Sequence, residues 1–93
     1  MKKLEIANRI MYRVEHSREK KYPSWSIGIT HSPQEIKVRH EEDGINTDEW
    51  EHWQANSLKD AMEIETYFLH WLEMKGCPSD ELNPHKMIYV YIY

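Results

Sequence analysis

Among the chemistry-bearing side chains of this 93-residue chain, Glu65 has the least suitable surroundings. At about 100° per residue, Leu58, Ala61, Met62, Phe68, Leu69 and Leu72 form one apolar helical sector, with Glu65 near its middle. Glu63 points to the polar side. An ionised carboxylate facing a core is costly unless it is paired, hydrogen-bonded or bound to a metal. Two readings follow, and the residues alone leave both open. Glu65 is either a structural carboxylate held by a Tyr hydroxyl, an Arg or a backbone amide, or it lines a cleft. In a cleft it could ligate a divalent cation or act as an acid/base with a shifted pKa.

Other chemistries find little support. There is no Cys-x-x-Cys, His-Glu-x-x-His or phosphate-binding glycine loop. The acidic stretch Asp43-Gly44-Ile45-Asn46-Thr47-Asp48 breaks the ligand spacing of the known calcium loop. The six histidines lack paired ligand spacing, and Cys77 has only Lys75 as a basic neighbour in sequence. Trp50 and Trp53 could stack on bases, but a small core also needs aromatics.

The elements that must position Glu65 form an α+β pattern. Leu4, Ala7, Ile10, Met11 and Val14 recur at helical spacing, predicting a helix over 3–20. Residues 9–16 also alternate as a strand would, but the stripe starts well before Ile10, and length favours the helix. Trp25-Ser26-Ile27-Gly28-Ile29-Thr30 alternates strictly, predicting a strand over 25–30. Its Ser26/Gly28/Thr30 face is small enough for another group to approach the backbone. Ser32-Pro33-Gln34-Glu35 reads as a capping box opening a helix over 33–42. A second strand is expected over 49–56. Ser57 caps the longest helix, 58–75, which should stop at Lys75-Gly76. Met87 to Tyr93 is nearly pure β-former and reads as a central or well-covered strand. The expectation is one domain with a small mixed or antiparallel sheet of about three strands packed with three helices.

Charge and composition bound the partners. Residues 1–24 carry seven Lys/Arg against three Glu, a balance of +4, while residues 25–93 carry five against thirteen acids, a balance of −8. Arg9, Arg13 and Lys20 fall on the polar back of the first helix, with Lys21 beside them. This basic segment either packs against the acidic body and neutralises it or serves as an arm for nucleic acid. No run of roughly 20 apolar residues is present to span a bilayer. With Cys77 alone no internal disulfide forms, so a reducing compartment such as the cytoplasm is expected.

Ser26-Ile27-Gly28-Ile29-Thr30-His31-Ser32-Pro33, followed by His40, resembles the second signature strand and following helix of the GIY-YIG endonuclease superfamily. Ser57-x-x-x-Ala61-x-x-Ile64-Glu65-x-x-Phe68 resembles the helix carrying that family's metal-binding Glu, and Val90-Tyr91-Ile92-Tyr93 resembles the closing strand of a branch of small members. The resemblance covers residues 25–93. It implies phosphodiester cleavage of DNA by a tyrosine that handles a proton, an Arg that stabilises phosphate charge and a Glu that holds one Mg²⁺ or Mn²⁺.

Carried over, the Glu falls on Glu65, but the tyrosine falls on Ser26 and the arginine on Ile36, with Arg39 three residues later. Losing one preorganised charge stabiliser typically costs about 100- to 1000-fold in rate. The resemblance therefore implies a degenerate, non-catalytic domain that binds nucleic acid or protein. One alternative is a weak metal-dependent endonuclease using Glu65, with Arg39 and terminal-strand tyrosines. The other is a structural protein that homodimerises through the aromatic strand or the first helix.

Overall fold

The computed structural model describes residues 1–77 and 81–93. Its elements are α1 (Lys3–Glu15), a 3₁₀ turn (Tyr22–Ser24), β1 (Ser26–Thr30), α2 (Pro33–Glu42), β2 (Glu51–Ala55), α3 (Leu58–His70), β3 (Lys75–Gly76) and β4 (Ile88–Ile92). The strands form one mixed sheet in the order β2-β4-β1-β3. The C-terminal strand is thus interior, antiparallel to both β1 and β2, as its unbroken β-forming composition predicted. Of the described residues, no helix is long and apolar enough to cross a membrane.

Alternation along the strands divides the sheet into two unlike faces. Ile27 and Ile29 of β1, Val90 and Ile92 of β4 and Ala55 of β2 face a layer made by α1 and α3. There Ile6, Ile10 and Val14 of α1 meet Ala61, Ile64 and Phe68 of α3. α2 crosses the other face, and only its Pro33 is buried.

Residues 9–16 are helical except for His16, which caps α1, so the strand alternative falls. The helix stops at Glu15 and not at residue 20. His16 closes it through its backbone N–H, and the Ser17 hydroxyl sits 2.7 Å from the Val14 carbonyl, competing with a further helical turn. Trp25 Nε1 then donates to the Glu19 carbonyl at 2.7 Å and ties the connector to β1. Leu4, expected in the buried stripe, is exposed, because the row Ile6–Ile10–Val14 faces the core.

α3 likewise ends at His70, five residues before the expected stop. Glu73 takes the left-handed φ of 61°, so the Met74 N–H reaches back to the Phe68 carbonyl at 3.0 Å and Met74 enters the core. Lys75 and Gly76, expected as the helix end, are instead a fourth strand, parallel to β1 at Ser26 and Ile27. The 33–42 helix has its expected limits, but the Ser32 side chain makes no cap bond; its N–H donates to Thr30 Oγ1 at 3.0 Å. Ser57 does cap α3, accepting from the Asp60 N–H at 3.1 Å.

Candidate functional site

The small face of β1 is filled by the chain's own last strand. Tyr91 lies opposite Gly28 in the β1–β4 register. A Cβ on Gly28 would stand 2.4 Å from both Cζ and Oη of Tyr91, so only glycine lets that ring lie across the strand. Trp50 stacks on Tyr91 with centroids 4.7 Å apart and planes 13° from parallel, and on Tyr93 at 5.9 Å and 15°. His40 of α2 closes over Tyr93 at 4.8 Å.

Polar atoms collect at the rim of this stack. Cys77 Sγ lies 3.1 Å from the Tyr93 hydroxyl. Burial first, then the hydrogen bond and field of Cys77, push the Tyr93 hydroxyl up to about 12, opposed by a hydrogen bond from Ser26. Tyr91 is pushed up further, again by burial first, then by Cys77, Tyr93 and Glu65. Both phenols therefore remain protonated at neutral pH and are not bases there. Trp50 Nε1 donates to His52 Nδ1 at 2.9 Å, which requires that nitrogen to be unprotonated. The His52 pKa is lowered, by burial first and then by Lys37, against an opposing pull from Glu51.

A polar cleft of about 250 Å³ opens beside Tyr91, where β1 turns into α2. Thr30, Ser32, Arg39 and Lys86 bring hydroxyls and cations to it, and Glu35 and Glu81 temper the charge. His31 clasps its wall. One ring nitrogen meets the Met87 carbonyl at 2.8 Å, and the other accepts from the Asn83 N–H at 2.9 Å. In that pair of contacts Nε2 is the acceptor and Nδ1 faces a carbonyl as the donor.

Of the residues singled out in the sequence, Glu65 is half-buried, and not at the centre of the core face. Ile64 and Phe68 hold that position, so the buried sector lies roughly 65° round the helix from where the sequence placed it. Glu65 stands one turn before Leu69, which packs on Gly76, and its field reaches Tyr91. Burial raises its pKa. Arg39 and Ser26 line different cavities: Arg39 the cleft beside Tyr91, Ser26 a separate one with Trp25, Lys75 and Tyr93. Arg9 is exposed on α1. Arg13 is neutralised, with Glu49 at 3.0 Å and Glu51 at 3.6 Å, so at this position the basic segment pairs with the acidic body. Lys20 and Lys21 lie exposed in the connector beyond α1.

Among the described residues, no three His, Cys, Asp or Glu side chains gather to hold a metal ion. Sequence reasoning named the terminal-strand tyrosines without singling out Tyr91, and it missed Cys77 and Lys86 as parts of the same region. The available signal was the alternation of Tyr89, Tyr91 and Tyr93, which places three rings on one strand face against a glycine-bearing neighbour. No protein-family model matches the chain, and no curated protein or solved structure gives a significant match.

Proposed function

We propose that this domain is a GIY-YIG-like scaffold that grips nucleic acid by its backbone phosphates without cutting it. The observation carrying this reading is the cleft beside Tyr91. A guanidinium, an ammonium and two hydroxyls line a space that suits one phosphate group, with the Glu35 and Glu81 carboxylates in the same lining limiting its net positive charge. Arg9, Lys20 and Lys21 are exposed cations elsewhere on the molecule.

The non-cutting half rests on protons and donors. The position resembling the family's tyrosine holds Ser26, in another cavity, and the tyrosine that does line the cleft is held protonated by burial. The Mg²⁺ or Mn²⁺ implied by the resemblance finds a poor fit. Burial favours the neutral form of Glu65, and no second carboxylate or imidazole joins it in a ligand group among the described residues.

The proximity of Glu65 to Tyr91 is the one observation favouring residual cleavage, so the test covers it. Fluorescence anisotropy with duplex and branched DNA at low salt should show binding. Its log–log salt slope should fall by about one in Arg39→Ala and again in Lys86→Ala. Undetectable binding at low salt would sink the nucleic-acid reading. In a plasmid-nicking assay with Mn²⁺, wild type and Glu65→Ala should be equally inert. Nicking that vanishes in the variant would replace the binding module with an enzyme.

A further inference from the structure

Residues 83–86, which supply Lys86 to the cleft beside Tyr91, form a turn closed within itself. The Lys86 N–H donates to the Asn83 carbonyl at 3.2 Å, and the His85 N–H donates to Asn83 Oδ1 at 2.9 Å. All four residues are exposed. Leu82, just before them, packs on the core. The Asn83 N–H takes no part in closing the turn. It points at His31 Nε2, 2.9 Å away and 52 positions back in the chain. The other ring nitrogen of His31 meets the carbonyl of Met87, the residue that follows the turn, at 2.8 Å. One imidazole thus grips the turn at both of its ends.

We propose that His31 is a proton-sensitive latch on the wall of the cleft: neutral, it holds the 83–86 turn and Lys86 in place, and protonated, it lets the Asn83 end go. Protonation adds a hydrogen to Nε2, the atom on which the Asn83 N–H depends. Two N–H groups would then face each other across 2.9 Å with no acceptor between them. The bond to Met87 survives, because a carbonyl accepts from an imidazolium more strongly than from a neutral ring. The turn therefore loosens about Met87. Its internal bonds persist, and the exposed Asn83 N–H turns to water.

The charged groups around His31 do not override this logic. Glu35 and Arg39 of α2, Glu81 and Lys86 of the segment before β4 and the protonated phenol of Tyr91 share the cleft with it. Two carboxylates favour the imidazolium and two cations oppose it, so the hydrogen bond at Nε2 distinguishes the two protonation states. His85 is the second imidazole of the segment and stands in the turn itself. The consequence for binding rests on the phosphate-gripping reading. In a loosened turn Lys86 must be ordered by the ligand, and that cost reduces its contribution.

Amide hydrogen exchange followed by NMR tests the latch without a ligand, each rate being divided by that of an unstructured chain at the same pH. Protection at Asn83 should fall about fivefold from about pH 8 to about pH 5.5, the effect of losing one ordinary hydrogen bond where histidine titrates. Protection at Lys86, whose bond lies inside the turn, should hold. His31→Gln keeps an acceptor but takes up no proton, so its Asn83 protection should stay level across the range. His85→Gln should titrate as wild type does. Asn83 protection that stays level in wild type, or falls equally in His31→Gln, would overturn the latch. Anisotropy with duplex DNA tests its hold on the cleft. Lys86→Ala should lower the log–log salt slope by about one at pH 8 and by less than about half as much at pH 5.5. An equal drop at both would overturn the link to binding. Absence of DNA binding at both would sink the phosphate-gripping reading and that link together, while the exchange result at Asn83 would still decide the latch.

Discussion

The two faces of the sheet achieve burial by different means. Between the sheet and the α1–α3 layer, mainly β-branched and aliphatic side chains interdigitate around Phe68, and Trp25 sends its one polar atom out to the Glu19 carbonyl. On the α2 side the filling is aromatic and polar: Trp50, Tyr91 and Tyr93 stack as near-parallel plates under His40, with hydroxyl, thiol and imidazole groups at their edges. Aliphatic packing is non-directional and tolerates exchange of shape for volume. The stacked face depends on ring orientation, on one glycine and on protonation states. The inner face should carry most of the stability, and the outer face most of the sensitivity to small chemical changes.

Truncation at the centre of the inner face gives the largest expected effect. Phe68→Ala removes the largest fully buried side chain and should cost about 3–5 kcal/mol, read as a lowered urea midpoint at unchanged m-value. A loss below about 1 kcal/mol would mean that the two faces do not differ as described.

Gly28→Ala comes next and probes the outer face by addition of one methyl group. Strand φ accommodates alanine, so the cost is steric: the new Cβ collides with the Tyr91 ring, and about 1–3 kcal/mol should be lost. Combining it with Tyr91→Leu should recover part of that loss, since the short branched side chain ends before Gly28. A double variant that is simply additive would show that the ring does not occupy this space.

Glu73→Gly should act in the opposite direction. A non-glycine residue at φ 61° is strained by about 1–2 kcal/mol, and relief of that strain is offset in part by the greater freedom of glycine in the unfolded chain. A net gain of about 0.5–1 kcal/mol is expected in the same urea titration.

This residue also explains where the sequence misled. Glycine or asparagine after a helix announces its end, but here the left-handed position holds Glu73, and the nearest glycine, Gly76, belongs to a strand. A two-residue strand leaves no periodicity to read, so β3 was invisible and α3 was drawn too long. The interior β4, the Ser57 cap and the small face of β1 were legible, because composition, side-chain chemistry and strict alternation each express a local rule. The candidate site was legible only in pieces. Glu65, Arg39 and Gly28 each stood out, but joining them needs Tyr91, whose importance lies in a strand register. Pairing between residues 28 and 91 is a property of the fold and not of either segment.

The smallest expected effects are in pH dependence, and they run in opposite directions at two groups. The His52 pKa is lowered from 6.5 in the folded state, so its neutral form contributes stability above pH 6.5 that is lost as pH falls through the folded value. Protonation also breaks the Trp50 bond, so tryptophan emission should shift below pH 6.5 in wild type and not in His52→Phe. Glu65 behaves in reverse. Burial raises its pKa above 4.5, so the folded state favours the protonated acid. Its favourable contribution is complete below pH 4.5 and declines as pH rises through the folded value. Glu65→Gln keeps the shape and removes the charge. The variant should be the more stable protein at pH 7 by a margin that closes below pH 4.5, measured as paired urea midpoints across that range. A variant less stable than wild type at pH 7 would show instead that the ionised carboxylate has a favourable partner, and Glu65 would then belong to the structural scaffold.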